Sequence, residues 1–255
     1  MKAPYGWIVP DWLAPPSVKS LITTRNGGVS AGVYASFNLG LRTGDDEATV
    51  HANRQLLRAW LPQEPKWLHQ VHAADVVVAD GLVGIPEADA SIARNAGTVC
   101  AVMIADCLPV LLCDRTGSVV GIAHAGWRSL TSGVIENTVG MMGVARGELL
   151  AYLGPAIGPH AFEVGRDVHD AFVTHDPAAA MAFMPYRQGK WLADLFKLAR
   201  LRLARCGIDQ VFGGGLCTCD NPARFYSHRR DGVTGRMAAL IWLESDNGQG
   251  LTRHL

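Results

Sequence analysis

The chain has 255 residues, of which 49% are apolar and 18% are charged, a composition that excludes a disordered chain. Its 23 basic and 23 acidic side chains leave no net charge that would favour nucleic acid or a membrane surface as a partner. No apolar run reaches the roughly 18 uncharged residues of a membrane-spanning helix. We therefore expect a soluble protein with neither a nucleic acid nor a membrane among its partners.

The start of the chain predicts a cytoplasmic location. Pro10, Asp11 and Pro15 interrupt the segment in which a signal peptide would have its apolar core. The six cysteines are predicted to be free thiols, as is usual in a large cytosolic chain.

The first third of the chain predicts strands and one helix. Alternating polarity favours a strand over residues 18–24, and the Asn-Gly-Gly of residues 26–28 favours a turn. An amphipathic helix is predicted from Asp45 to about Trp60. Two further strands are predicted over residues 66–70 and 74–79.

Three apolar runs in the middle of the chain predict buried strands over residues 98–105, 108–113 and 118–124, the last two joined by a tight turn. The remaining predicted elements are helices over residues 130–142, 165–175 and 191–206 and strands over residues 149–153 and 237–243. No linker, repeat or low-complexity segment divides the chain. The prediction is therefore one layered α/β domain over residues 1–255, with a mixed central sheet.

Reactive side chains stand at the ends of three predicted strand segments. Cys107 lies between two apolar runs, His124 ends a third, and a fourth segment contains His69 and His72. Two imidazoles and a thiolate are good zinc donors, and a catalytic zinc site typically has three protein ligands and one open position. His69 and His72 point to opposite faces of an extended segment, so we predict His72 as the ligand and His69 as structural.

Plainer interpretations of these residues stay open on spacing alone. Cys107 would also serve as a small core residue, and His124 as a cap of the turn at Ala125-Gly126.

Two neighbouring segments add to the candidate site. A helix beginning at Trp127 would offer free N–H groups suited to an anion such as phosphate. Cys217-Thr218-Cys219 is too tightly spaced for a zinc ribbon and predicts a loop near the site.

Nine segments, in order along the chain, carry a resemblance to a known family. They are residues 24–30 (TRNGGVS), 36–40 (SFNLG), 53–54 (NR), 70–72 (QVH), 105–109 (ADCLP), 124–128 (HAGWR), 154–159 (GPAIGP), 225–232 (FYSHRRDG) and 234–238 (TGRMA). On these residues the chain resembles the family known as peptidoglycan editing factor, polyphenol oxidoreductase of the laccase type, and purine nucleoside phosphorylase of the laccase-domain type. Two residues depart from the family's usual pattern, with Ala73 in place of a glycine and His228 in place of a tyrosine.

The resemblance implies a zinc site formed by His72, Cys107 and His124. It also implies a layered α/β fold similar to that of toxin deamidases with a Cys–His site. The implied reactions are phosphorolysis of adenosine, inosine or methylthioadenosine and deamination of adenosine. The implied partners are therefore a nucleoside and phosphate, with a link to the editing of a peptidoglycan precursor.

Further residues are candidates for the chemistry of such a site. Asp106 is a candidate for proton handling or for orienting a ligand, and it would equally cap the turn beside Cys107. The candidates for phosphate or ribose contacts are Arg25, Arg54 and Arg128, because planar guanidinium donors suit oxyanions. Asn38 is a candidate for a ribose hydroxyl, or for satisfying the backbone of its own turn.

Three other functions also fit these residues. Two histidines and a cysteine also describe a blue-copper site, which would suit a polyphenol oxidase, although the nine histidines include no His-x-His pair of a trinuclear copper centre. A metal-free hydrolase would use Cys107 as the nucleophile and His124 as the base. A zinc-stabilised binding domain would need four protein ligands, of which the sequence offers three.

Overall fold

The structure is a computed structural model that describes residues 4–145 and 147–245. The strands in this part of the chain are β1 (Val18–Ile22), β2 (Val76–Val78), β3 (Ala90–Ala93), β4 (Cys100–Ile104), β5 (Leu108–Asp114), β6 (Val120–Ala125), β7 (Leu149–Leu153), β8 (Glu163–Val164), β9 (Phe183–Arg187), β10 (Lys190–Ala193), β11 (Val211–Gly213) and β12 (Met237–Leu243). The α-helices are α1 (Glu47–Arg58), α2 (Trp127–Thr131), α3 (Val134–Met142), α4 (Arg166–Val173), α5 (Leu195–Arg205) and α6 (His228–Asp231).

The central sheet has six strands in the order β11-β7-β5-β6-β3-β2. Its inner strands β7, β5, β6 and β3 pair antiparallel, whereas β11 pairs parallel with β7 and β2 parallel with β3. Two three-stranded sheets accompany it, in the orders β1-β12-β4 and β8-β10-β9. The predicted mixed α/β architecture with a mixed central sheet is therefore confirmed.

Strand β5 shows how the layers are built. Alternate side chains of a strand point to opposite faces of its sheet. Leu108, Val110 and Leu112 lie in a core cluster that includes buried residues of helices α3 and α5. Leu111 and Cys113 lie in a second cluster, shared with β4 and β12. The central sheet is thus covered by helices on one face and by the β1-β12-β4 sheet on the other.

A short turn joins β5 to β6 and is held by one buried carboxylate. The buried carboxylate of Asp114 accepts hydrogen bonds from the backbone N–H groups of Ser118 (2.7 Å) and Val119 (3.0 Å) and from the hydroxyl groups of Thr116 and Ser118. In the resulting hairpin Pro109 pairs with His124. A slip of one residue would turn every side chain to the opposite face, so the register of these two buried strands decides where His124 points.

Several predicted elements are wrong in extent or type. Residues 66–70 form no strand and make only isolated bridges, from Lys66 to Cys100 and from His69 to Glu87. The helix predicted over residues 130–142 is divided into α2 and α3 at Gly133, whose φ of 89° is left-handed. The helix predicted over residues 191–206 begins only at Leu195, because Asp194 accepts a hydrogen bond from the Lys197 N–H and caps it there.

The structure also contains elements that the sequence patterns did not predict. Strand β3 consists mainly of small residues, and β8, β9, β11 and α6 are short. Short elements of this kind depend on partners that are distant in the chain. Within residues 4–145 and 147–245, no helix has the length and apolar character needed to cross a bilayer.

Candidate metal centre

The β5–β6 hairpin brings Cys107 and His124 to the same end of the central sheet. Cys107 directly precedes β5, and His124 is the next-to-last residue of β6, paired with Pro109. Asp106 adopts a left-handed φ of 95° immediately before Cys107. The thiol is half-buried and the His124 ring is buried.

His72 reaches this pair from a loop rather than from a strand. Its φ of 62° is left-handed, which is uncommon for a residue with a side chain. The N–H groups of its two neighbours, Val71 and Ala73, donate to Oδ2 of Asp89 at 3.0 and 2.7 Å. The residue with the left-handed backbone is therefore His72, not residue 73. Position 73 can then hold an alanine, although the family usually has a glycine there.

The same Asp89 carboxylate also contacts His124. Its Oδ1 lies 2.8 Å from His124 Nδ1, and its backbone carbonyl accepts the N–H of His124 at 2.7 Å. Asp89 is fully buried. Burial acts to raise the pKa of its carboxyl group, but contacts with His124 and the two backbone N–H groups outweigh burial and lower the pKa. A carboxylate at Nδ1 leaves Nε2 of His124 free to act as a ligand.

The three candidate ligands form one compact group. Their nearest donor atoms all lie within 4.8 Å of one another, and Cys107 Sγ is 3.7 Å from His72 Nε2. Zinc bond lengths of about 2.3 Å to sulfur and about 2.05 Å to nitrogen, at a tetrahedral angle, would separate these two atoms by roughly 3.6 Å. A divalent ion therefore fits this donor set, and the exposed His72 leaves one side open.

Gly126 allows the group to be this tight. A Cβ atom at this position would lie 2.9 Å from Cys107 Sγ and 3.2 Å from His72 Cδ2. Any side chain there would therefore press on two of the three candidate ligands.

Electrostatic coupling separates Cys107 from the other buried cysteines. Burial acts to raise the pKa of the Cys107 thiol, but the charge of His124 and hydrogen bonds from His124 and His72 outweigh it and lower the pKa to about 6. Burial acts to lower the pKa of His124, but the Cys107 thiolate and Asp89 outweigh it and raise this pKa to about 9. Burial raises the pKa values of Cys100 and Cys113 to about 12. Cys107 is thus the thiolate suited to bind a metal.

Asp106 lies beside the group but contacts other parts of the chain. Its Oδ1 accepts the Thr218 hydroxyl at 2.6 Å, and its Oδ2 accepts the backbone N–H of Arg229 at 2.7 Å. These bonds tie the Cys217-Thr218-Cys219 loop and helix α6 to the end of β4. Its predicted part in proton handling or ligand orientation stays a prediction.

Two of the predicted substrate-binding arginines are engaged with the protein. Arg25 donates from Nε to the carbonyl of Ala35 at 2.9 Å and lies over the Tyr226 ring. Arg54 donates from Nε to the carbonyl of Leu39 at 3.0 Å and stacks on Trp67. These contacts give both side chains a structural part, and their predicted substrate contacts remain predictions.

Asn38 is fully buried and its amide is engaged at both ends. Its Oδ1 accepts the N–H groups of Gly40 (3.0 Å) and Arg236 (2.8 Å), and its Nδ2 donates to Thr43 Oγ1 (2.9 Å) and Asp45 Oδ2 (3.0 Å). This pattern matches the alternative stated for Asn38, that it satisfies the backbone of its own turn.

Arg128 is the exposed one among the predicted arginines. It lies two residues after Gly126, in the five-residue helix α2, and its guanidinium stacks over Trp127 at 4.4 Å. No hydrogen bond engages its N–H groups within the part of the chain that the structure describes. Arg128 is therefore the one of the three predicted arginines that is exposed, and its predicted contact with phosphate or ribose remains a prediction.

Asp89 and Arg236 are residues near the group that sequence reasoning missed. Asp89 carried little signal, because the strand β3 that follows it was not predicted from the sequence. Arg236 donates to the carbonyls of Thr234 and Gly235, and burial lowers the pKa of its guanidinium while the charges of Cys107 and Asp106 act to raise it. His69 stands outside the group, with Nδ1 3.9 Å from a Glu87 oxygen.

Comparison with known proteins shows the family to which the chain belongs. Residues 19–244 match the model of the family described as multi-copper polyphenol oxidoreductase laccase. The chain belongs to this family. It is 50% identical over 240 residues to a Pseudomonas aeruginosa protein named purine nucleoside phosphorylase PA4543, an alignment that covers 94% of this chain and 99% of that protein. It is also 50% identical over 242 residues to the Escherichia coli protein named purine nucleoside phosphorylase YfiH, covering 92% and 98% of the two chains.

Two solved structures share the fold of this chain. The Neisseria meningitidis protein NMB0706 has a TM-score of 0.91 and 53% identity, over 94% of this chain and 99% of that one. YlmD from Geobacillus stearothermophilus has a TM-score of 0.88 and 30% identity, over 96% and 98% of the two chains. The resemblance inferred from the nine sequence segments is thereby confirmed.

Proposed function

We propose that this protein is a zinc-dependent purine nucleoside phosphorylase whose centre is formed by His72, Cys107 and His124. The observation that carries the proposal is this compact group of two imidazoles and one low-pKa thiolate, open on the His72 side. The names of the 50% identical relatives support the reaction class. The substrates are then a purine nucleoside, such as adenosine, inosine or methylthioadenosine, and phosphate.

The chain's own residues divide the work of phosphorolysis. His72, Cys107 and His124 would hold the zinc, which when bound supplies a Lewis acid for polarising a substrate atom. Arg128 would bind phosphate at the exposed edge of the site, because its guanidinium donors suit an oxyanion. Asp106 would hold the Thr218 loop and α6 at the edge of the centre through its two hydrogen bonds.

Two finer activities belong to the same proposal. Deamination of adenosine would use the same open side, but with water attacking C6 of the purine and ammonia leaving, whereas in phosphorolysis phosphate attacks the anomeric carbon of the ribose and the purine leaves. A peptidoglycan precursor would be a further substrate of this centre. Cys100, Cys107, Cys113, Cys217 and Cys219 are free thiols, which supports a reducing compartment such as the cytoplasm.

Copper-dependent oxidation of phenols is the second candidate, favoured by the description of the matching family. A His₂Cys donor set suits copper as well as zinc. Among the described residues, however, only one group of three potential ligands occurs, which argues against a multi-copper centre.

The test is a chromatographic product assay of zinc-loaded protein with adenosine and phosphate, run beside Cys107→Ala. Adenine and ribose 1-phosphate should form with the wild type, and loss of the thiolate ligand should lower zinc content and product by at least about tenfold. Inosine as the product would instead establish deamination. Zinc content is measured on the same samples.

Cys113→Ala is the matched control, because Cys113 is buried in β5 of the same hairpin and lies outside the candidate centre. It should retain both zinc and turnover. Full zinc content and activity in Cys107→Ala would contradict the metal assignment, and oxidation of a phenol by the copper-loaded protein without adenosine turnover would favour the second candidate.

A further inference from the structure

The carboxylate of Asp89 is shared between two of the three candidate ligands. Oδ1 faces His124 Nδ1 at 2.8 Å, while Oδ2 accepts the N–H groups on both sides of His72. Asp89 itself is held, because its N–H donates to the Asp75 carbonyl and its carbonyl accepts the His124 N–H. The side chain is fully buried, so water does not compete for these bonds.

We propose that Asp89 is the positioning residue of the metal centre, which sets the tautomer of His124 and the left-handed backbone of His72 through one carboxylate. The inference rests on the metal site of the proposed function. It assigns to Asp89 the role of orienting the ligands, for which the sequence had suggested Asp106.

The first half of this role concerns the proton on His124. A carboxylate has no proton to donate, so the ring nitrogen that faces it carries the hydrogen. Nδ1 of His124 therefore donates to Asp89, and Nε2 keeps the lone pair that a metal requires. Without an acceptor at Nδ1, neither the tautomer nor the ring orientation would be fixed.

The second half concerns the loop that carries His72. A left-handed backbone is unfavourable for a residue with a Cβ, so a group must hold it in place. The two N–H groups that converge on Oδ2 supply this restraint, at 3.0 and 2.7 Å. The His72 ring is thereby kept at 4.9 Å from the His124 ring, measured between ring centroids.

Asp89→Asn tests both halves, because an amide satisfies only one side at a time. If its oxygen accepts from Val71 and Ala73, its NH₂ donates to His124 Nδ1 and moves the ring proton to Nε2, which can then no longer bind a metal. If its oxygen faces His124, two backbone N–H groups meet an NH₂ and the His72 loop is released. Either orientation impairs one ligand.

The experiment is a titration of metal-stripped protein with Co²⁺, read from the thiolate-to-cobalt absorption band of Cys107 and from the d–d bands. We expect Asp89→Asn to bind Co²⁺ about 10–100-fold more weakly than the wild type, with altered d–d bands. Circular dichroism and thermal unfolding of the same samples verify that the variant is folded.

Asp114→Asn is the matched control. Asp114 is another buried carboxylate that accepts backbone N–H groups of a turn, but it lies at the opposite end of the β5–β6 hairpin. It should lose stability and keep the wild-type cobalt titration. Equal weakening in both variants, or a wild-type titration in Asp89→Asn, would overturn the proposal.

Two other outcomes also decide the question. If Asp89→Asn does not fold, Asp89→Glu retains the charge and displaces the carboxylate, so weaker cobalt binding supports the proposal and unchanged binding overturns it. A wild-type protein without a thiolate-to-cobalt band would overturn the metal centre of the proposed function and this inference with it. A normal wild-type band with a normal Asp89→Asn titration removes only the inference.

Discussion

Cys107 differs from Cys100 and Cys113 in the side chains that surround it as well as in being half-buried rather than buried. All three are held by strands or strand ends of the same core, but only Cys107 faces two imidazoles. Burial without a positive partner raises the pKa of a thiol, as it does for Cys100 and Cys113. The chemistry at this end of the hairpin therefore depends on His124 and His72 being in place.

Arg128 is the residue at which phosphate binding is most directly tested. Arg128→Ala should raise the KM for phosphate about tenfold or more, because a charge-assisted hydrogen bond contributes about 1.5–3 kcal/mol, while the KM for the nucleoside changes little. Arg187→Ala is the control, since Arg187 is also exposed and stacks on a neighbouring ring, but lies on β9. An equal effect of both variants on the phosphate KM would contradict a specific role for Arg128.

At the scale of elements, the long apolar runs predicted well where the buried strands lie. The sequence predicted less well the residues at which elements begin and end. Strands β5, β6 and β12 are long buried runs and were predicted within two residues. The start of α5 was wrong because apolar residues continue through Trp191 and Leu192, which belong to β10. Strand β3 was missed because its small residues acquire strand geometry only from β2 and β6 on either side.

The same distinction applies to the candidate site. Cys107, His124 and His72 are recognisable from residue type at the ends of apolar segments. Asp89 is not, because its partners are a histidine 35 residues away and backbone N–H groups 16 and 18 residues away. Asn38 likewise could not be assigned from sequence, since one of its partners is the N–H of Arg236.

The turn of the β5–β6 hairpin makes a separate prediction about stability and pH. Asp114→Asn should lower the free energy of unfolding by about 1–3 kcal/mol at pH 7, because buried donors lose their charged acceptor. Burial acts to raise the pKa of Asp114, but hydrogen bonds from Thr116, Val119 and Ser118 outweigh it and lower the pKa. The native carboxylate is therefore stabilising above the unfolded-state pKa of about 3.9, and this contribution is lost as the pH falls through the lower folded-state value.

Urea unfolding of wild type and variant between pH 7 and pH 2 measures this difference. The difference in the free energy of unfolding between wild type and Asp114→Asn should be largest at neutral pH and should disappear in acid. Asp209→Asn, at an exposed position, is the control and should stay within about 0.5 kcal/mol of the wild type. A difference in the free energy of unfolding that does not change with pH would show that the charge of Asp114 does not stabilise the turn.

At the scale of the whole molecule, the candidate centre lies outside the apolar clusters that join the layers. The two faces of the central sheet are packed by separate buried clusters, and a third cluster joins the β1-β12-β4 sheet to α1 through residues such as Leu21, Leu57 and Leu240. None of His72, Cys107 and His124 is part of these clusters. The burial of these apolar side chains, rather than metal ligation, supplies the main stabilisation of the fold.

Removing the metal should therefore lower stability without unfolding the protein. A ligand present at 100 times its Kd stabilises the native state by about 2.7 kcal/mol, and in a chain of this size each kcal/mol shifts the Tm by roughly 2–4 °C. We expect chelation of the zinc-loaded protein to lower the Tm by about 5–10 °C, to abolish turnover and to leave the far-UV circular dichroism unchanged.

Calorimetry with and without chelator distinguishes this behaviour from that of a zinc-stabilised binding domain. A single cooperative transition in both states would support the prediction that residues 1–255 form one domain, because its layers would unfold together. Cys107→Ala is the control and should unfold near the chelated wild type whether or not chelator is added. Loss of the cooperative transition on chelation would mean that the metal holds the layers together, and the structural role would then replace the catalytic one.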